Sequence, residues 1–135
     1  IVVCMLGWIL TGFTIDNILL TLFLLMVVSW TFSAFGCIVG IIATSWDHIA
    51  MFTNFVFMPL TFLGGIFYSI DMLPDVWRTV SQINPLYWMI NGLRYSMIGI
   101  SEVSIIFSIA ISVVFAISFT IIASILFSKG YKIKS

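Results

Sequence analysis

From Ile18 to Ile42 the chain runs 25 residues without an Asp, Glu, Lys, Arg or His. As an α-helix rising ~1.5 Å per residue this stretch is ~37 Å long, more than the ~30 Å of hydrocarbon in a bilayer, so it crosses with some tilt. Inside hydrocarbon every backbone N–H and C=O must find its partner within the segment, and a helix meets that demand. The remainder of the 135 residues points the same way: the chain is 62% hydrophobic and 7% charged, too little polar surface to clothe a soluble globule. The fold class that follows is an all-α integral membrane protein with several transmembrane helices. A formal net charge of zero gives nucleic acid no electrostatic footing.

The segments follow in order along the chain. Residues 1–10 are apolar but too short to cross alone, and they lack the basic flank and small-residue cleavage site of a signal peptide. With Ile1 rather than Met at its start, the chain reads as a C-terminal part whose first helix is a truncated span. A short polar connection leads to a span over residues 18–43, then a tight turn carrying Asp47 and His48. A second span covers residues 51–69, where Pro59 removes one backbone hydrogen bond and is expected to kink the helix, and Gly64-Gly65 to loosen it further. The last span covers residues 102–127, with Ser101 expected to cap its first turn and Glu102 to suit its positive end. The tail, residues 128–135, carries Lys129, Lys132 and Lys134, the one cluster of positive charge. By the positive-inside bias this tail is cytoplasmic, which puts Asp47 inside and Arg78 outside.

Between Pro59 and Gly99 the chain stops behaving as a lipid-soluble helix. Asp71, Asp75, Arg78 and Arg94 fall here, and charges near bilayer depth are kept where they face protein or water. Leu73-Pro74 offers a helix start, and Val76, Trp77, Val80 and Ile83 recur at helical spacing. Asn84-Pro85 ends that helix and starts another, Asn84 as N-cap and Pro85 as first helical residue. In the second helix Leu86, Ile90, Leu93 and Met97 form one stripe, with Tyr87, Asn91 and Arg94 on a neighbouring arc. Two helices too short to cross singly predict an external re-entrant helical hairpin over residues 71–99, before the last span.

Residues able to carry chemistry are few. Cys4 and Cys37 lie in apolar runs without metal-ligand spacing, and no metal site is expected. Asp47 beside His48 has no third oriented partner and reads as a solvated turn. No GxSxG, HExxH or Gly-rich GKS/T loop occurs, so no catalytic residue is assigned and ATP hydrolysis, if coupled to this chain, belongs to another polypeptide. Gly36 and Gly40, a GxxxG pair extended by Ala43, let another helix approach closely, either within the chain or from a pathway or dimer partner. Ser29 and Ser33 share their face. Arg94 has two readings, a structural ion pair with Glu102 or Asp71, or a substrate-facing gate residue. Trp77, Tyr87 and Trp88 suit an interfacial aromatic belt.

The string NFVFMPLTFLGGIFYSIDMLP followed by INPLYWMINGLRYSMIG resembles the signature region of the type-2 ATP-binding-cassette exporter permeases. The matching positions are Asn54, Pro59-Leu60, Phe62-Leu63-Gly64-Gly65-Ile66-Phe67, Leu73-Pro74, Asn84-Pro85-Leu86 and Arg94. The resemblance covers about residues 30–100. Tyr68-Ser69-Ile70 departs from the aromatic-Pro common in that family.

The resemblance implies the C-terminal half of a six-span permease in the inner (plasma) membrane. Two protomers, expected as a homodimer, would form the pathway, and separate ATPase subunits binding ATP and Mg would dock from the cytoplasm; this chain itself is expected to hold no cofactor and not to be an enzyme. Transport would proceed by alternating access, with Arg94, Asn91, Tyr87, Asn84, Pro85, Gly64 and Gly65 as gate or pathway candidates and Asp71, Arg78 and Glu102 as ion-pair candidates. A non-transporting membrane anchor or assembly subunit has the same spans, and an intramembrane enzyme would need a converging nucleophile, base or metal set that is not visible.

Overall fold

The computed structural model describes residues 6, 9, 15–66, 72 and 74–129. Over these the chain is helical: α1 (Ile18–Ile42), α2 (Trp46–Phe52), a π-helical turn (Thr53–Phe57), α3 (Met58–Leu63), α4 (Asp75–Ile83), α5 (Pro85–Ile98) and α6 (Ile105–Ser128). Two of these, α1 and α6, are long and apolar enough to cross a membrane. They pack along each other, and α5 lies against both.

The packing is the inverse of a soluble bundle. Large apolar side chains such as Leu19, Trp30, Ile106 and Phe107 face outward, while much of the contact surface is small or polar. On α1 the buried face repeats at three and four residues through Thr21, Leu24, Val27, Thr31, Ala34 and Ile38. On α6 the buried residues are Ser108, Ser112 and Ala116, one every four residues. Small side chains let helix backbones approach where lipid supplies no hydrophobic push. Hydroxyls in this apolar setting bond back to their own helix: Thr31 Oγ1 donates to Val27 O at 2.8 Å and Ser112 Oγ to Ser108 O at 2.7 Å.

Several boundaries differ from the sequence expectation. The turn after α1 is shorter than expected, because the chain is already helical from Trp46. Ser45 holds the extended N-cap conformation, and Thr44 donates its backbone N–H to His48 Nδ1 at 3.3 Å, with its hydroxyl in hydrogen-bond contact with the same nitrogen at 2.7 Å. Pro59 lies in the first turn of α3, directly after the π turn. Its ring would crowd the carbonyl four residues back and it supplies no N–H, so widening the preceding turn accommodates it. The last helix opens at Ser104, not Ser101, whose side chain is engaged elsewhere.

The α4–α5 pair breaks at Asn84-Pro85, as its residues predict: Asn84 is extended (φ −73°, ψ 121°) and its Oδ1 accepts the Leu86 N–H at 3.0 Å. The stripes are turned differently than their hydropathy suggests. Val76, Trp77, Val80 and Ile83 on α4 all face outward, and Ser81 is the residue that α4 buries. On α5 the arc of Tyr87 and Asn91 is buried, whereas Leu86, Ile90, Leu93 and Met97 are half-exposed. In lipid, apolar stripes need no protein cover and polar groups do. The truncated span at residues 1–10, apart from residues 6 and 9, as well as Asp71, Leu73 and residues 130–135 of the tail, lie outside the described residues.

Candidate functional site

The C-terminal end of α3, the length of α5 and the connection between α5 and α6 meet in one polar cluster. Its anchor is Asn91, 1% exposed, on the face of α5 toward α6. The Asn91 Nδ2 group donates to Ser108 Oγ at 2.9 Å and Ser101 Oγ at 3.1 Å, with Val103 O at 3.4 Å, while Oδ1 accepts the Glu102 backbone N–H at 3.0 Å. The Ser101 hydroxyl donates to Val103 O, closing the loop on itself. A carboxamide with two donor hydrogens and a two-lone-pair acceptor is thus used close to capacity. The consequence is local: three consecutive residues of the α5–α6 connection are held against the middle of α5.

That arrangement seats the Glu102 carboxylate on Arg94. Arg94 Nη1 lies 2.9 Å from Glu102 Oε1, with the two side chains 23% and 13% exposed. The other guanidinium arm, Nη2, donates to the carbonyl of Gly65 at 2.6 Å. Arg suits this place because its planar fork addresses two acceptors at once. Gly65 has φ +75°, a left-handed conformation open to glycine without strain, and it turns the chain directly after α3 ends at Leu63.

One further hydrogen bond ties α5 to the same end of α3: the Leu60 carbonyl accepts Asn84 Nδ2 at 2.6 Å, while the Gly64 N–H closes α3 itself on Thr61 O at 3.2 Å. A Cβ on Gly64 would lie 2.8 Å from Ile90 Cδ1, so glycine at 64 lets α5 sit close. Asn84, Ile90 and Arg94 therefore touch α3 at successive levels along α5. Of the candidates named from the sequence, the fold connects Asn91, Glu102, Arg94 and Gly65, with Gly64 against Ile90 and Asn84 on Leu60 O further along α5.

Other candidates lie elsewhere. Tyr87 is buried, its ring 5.3 Å from Trp88 at a steep angle. Pro85 starts α5 beside an apolar cavity lined by Phe32, Phe35, Phe57 and Met89. Arg78 is exposed on α4. Gly36 and Gly40 are exposed on α1, and among the described residues nothing lies within 4 Å of a Cβ built on either. Among the described residues no three His, Cys, Asp or Glu gather as for a metal ion.

The sequence reading missed Ser108, Gly92 and the role of Gly99. Ser108, Ser112 and Ala116 at four-residue spacing were the available signal for a close-packed face. A Cβ on Gly92 would meet Leu24 Cδ1 at 3.3 Å and Ser108 Cβ at 3.6 Å, so α5 touches α1 and α6 at this point. Gly99, at φ +72°, ends α5 with its N–H on Tyr95 O at 2.9 Å. Beside it Asp16 and Asn17 donate backbone N–H groups to Met97 O and Ser96 O at 3.1 and 3.0 Å, docking the start of α1 on the end of α5. A Cβ at Gly99 would stand 2.7 Å from Asp16 Oδ2. Gly99→Ala is expected to destabilise the fold by ~1–3 kcal/mol, because it adds left-handed strain to that clash. Thermal unfolding in detergent checks this: Asp16→Ala in the same background should restore only the steric part.

The comparisons with known proteins agree with this architecture. The ABC-2 type transporter family matches residues 1–98. The chain is similar to the inner membrane transport permease YadH of Escherichia coli K12, 43% identical over 75 residues, 56% of this chain and 29% of that protein. It is also similar to nodulation protein J of Rhizobium leguminosarum bv. trifolii, 32% identical over 68 residues, 50% of this chain and 26% of that protein. The matched part spans less than a third of the length of either relative. No solved structure matches the chain. Spans, broken helix pair and family match converge on one assignment: the chain belongs to the ABC-2 type transporter family.

Proposed function

We propose that this chain is part of the permease subunit of an ATP-binding-cassette exporter of the inner membrane, moving its substrate by alternating access. A separate ATPase subunit that binds ATP and Mg drives the cycle, and a second permease protomer completes the pathway as a homodimer. The observation that carries this reading is the two-armed grip of Arg94, which ties the Gly65 carbonyl at the end of α3 to Glu102 at the entry to α6. In this scheme the charge-assisted contact across three separate elements is made in one arrangement of the helices and broken in the other. The α4–α5 pair acts in this scheme as a re-entrant lid, with its outward apolar α4 face in the outer leaflet. A passive anchor would need no such closure. Co-purification of the full-length protein from native membranes tests the reading, the expected result being a stoichiometric ATPase with Walker motifs. Recovery of the permease without any ATPase would contradict it.

The topology follows from the lysines of the tail and the span order: Lys129 and Asp47 inside, Arg78 outside. Single cysteines at positions 47 and 78, in a background lacking Cys4 and Cys37, are expected to react with a membrane-impermeant maleimide from opposite sides. Labelling of position 78 only from the cytoplasmic side would invert the assignment.

A further inference from the structure

We propose that α3 is a lever pivoting on the hydrogen bond between Asn84 and Leu60: its Phe57 end moves toward α5 as its Gly65 end leaves Arg94. The inference rests on the reading of the Arg94 contact as one made and broken during transport. Its starting point is the order of contacts along this short helix. The Leu60 carbonyl accepts Asn84 Nδ2 at 2.6 Å, and past the end of the helix the Gly65 carbonyl accepts Arg94 Nη2 at 2.6 Å. On the other side of Leu60 lies the apolar cavity, with a volume of about 50 Å³. Phe57 and Leu60 line it from one side, Leu86 and Met89 from α5, and Phe35 and Phe119 from α1 and α6.

The two ends differ in the room they have. At the Gly65 end α5 is already as near as it can come, since a Cβ on Gly64 would stand 2.8 Å from Ile90 Cδ1, so departure is the motion open to it. Tilting that end away from α5 carries the opposite end toward α5, where the cavity lies. Phe57 precedes Leu60 by ~4.5 Å of helix and Gly65 follows it by ~7.5 Å. Opening the Gly65–Arg94 bond past the ~3.5 Å limit takes ~1–1.5 Å at Gly65, and therefore under ~1 Å at Phe57. A cavity of about 50 Å³ exceeds the ~10–15 Å³ of one water-sized sphere and accommodates that shift. No hydrogen bond opposes it at the Phe57 ring, which stacks on Phe32 at 5.7 Å and meets Phe35 edge-on at 5.0 Å. The Thr31 hydroxyl, beside the cavity, is bonded to Val27 O at 2.8 Å.

Backbone joints flank the lever on both sides. Upstream is the π turn, where Met58 donates its N–H to Thr53 O and Pro59 has no N–H to give the Phe55 carbonyl four residues back. An interrupted ladder is where one helical segment changes its angle against the next at low cost, here α3 against α2. Downstream, Gly65 at φ +75° turns the chain without a Cβ to hinder a change of its dihedral angles.

The experiment uses the full-length protein with its ATPase in proteoliposomes, Cys4 and Cys37 replaced by Ala, and spin labels on exposed pairs at the two ends, Ile66 with Tyr95 and Phe55 with Ile83. ATP binding is expected to change the two separations in opposite directions. Leu86→Phe, which fills the cavity from α5, should abolish both changes and lower export about tenfold, while the thermal midpoint of the complex stays level or rises. Asn84→Ser keeps a capping oxygen for α5 but is too short to reach Leu60 O, so the two separations should no longer change in concert. Separations that move in the same direction, or a Leu86→Phe protein in which both still change, overturn the lever, and the gate reading of Arg94 stands as long as the Ile66–Tyr95 separation responds to ATP. Export at the wild-type rate with a constant Ile66–Tyr95 separation overturns both.

Discussion

Arg94→Ala is expected to reduce coupled export by roughly ten- to thirtyfold while the protein still assembles. The substitution removes a charge-assisted hydrogen bond to the Gly65 carbonyl and the partner of a Glu102 carboxylate that is 13% exposed. Partial exposure of the pair keeps the effect below the ~3–5 kcal/mol of breaking a fully buried ion pair, and ~1.5–2 kcal/mol is the appropriate scale. That amount shifts a two-state closure by roughly ten- to thirtyfold. Under the proposed mechanism the ATPase rate should change as well, because coupling between sites is reciprocal in free energy. Arg94→Lys keeps the charge but reaches one acceptor at a time, so it should recover part of the activity. Glu102→Gln separates the arms: it leaves the Gly65 contact in place and should cost less than Arg94→Ala. Export and ATPase rate of the reconstituted complex, with assembly measured alongside, are the readouts. Wild-type rates in a normally assembled Arg94→Ala protein would reduce Arg94 to an interfacial charge.

The largest effect on stability is expected from Asn91→Leu, ~3–5 kcal/mol of destabilisation. Leucine has similar volume, so the loss is not one of packing. It leaves the Glu102 N–H without its acceptor and removes the carboxamide donor from the fully buried Ser108 hydroxyl, in a site 1% exposed at Asn91, while the exposed Ser101 keeps its bond to Val103 O. Buried polar groups left unmade cost ~1–3 kcal/mol each, and two or more are affected. Because Asn91 seats Glu102 on Arg94, the two positions should be coupled. In a double-mutant cycle Asn91→Leu with Arg94→Ala should be less damaging than the sum by ~1 kcal/mol or more. Thermal or denaturant unfolding of the purified protein measures both quantities. Strict additivity would mean that Asn91 braces the connection without positioning the ion pair.

The long apolar runs, the break at Asn84-Pro85, the interruption of regular α-helix next to Pro59 and the polar status of Asn91, Arg94 and Glu102 were all legible before any fold was known. Each rests on a property local to the chain: length against bilayer thickness, a missing N–H, a preformed cap, or a charge that lipid does not tolerate. Local chemistry also narrowed the partner of Arg94 to Glu102 or Asp71. It did not reveal the second acceptor, since a backbone carbonyl has no signature in sequence. Glu102 and Gly65 are eight and twenty-nine positions from Arg94, and only the placing of α3 beside α5 makes them neighbours.

Which way each face turns depended likewise on how the helices are placed. Hydropathy identified the stripe on α4 and the arc on α5, yet in lipid the apolar stripe faces out and the Tyr87–Asn91 arc faces in, the opposite of a helix in water. Gly36 and Gly40 carry the spacing for close packing, but among the described residues nothing meets them, and the close approaches are at Gly92 and the Ser108, Ser112, Ala116 face. Small residues state that a backbone can be approached; the relative placement of α1, α5 and α6 determines by what. Residue order alone thus specifies the helical membrane class, the punctuation of the chain and the polar groups that must be satisfied. Their partners come from the folded arrangement, because hydrogen-bond complementarity between distant segments exists only once their backbones are brought within reach.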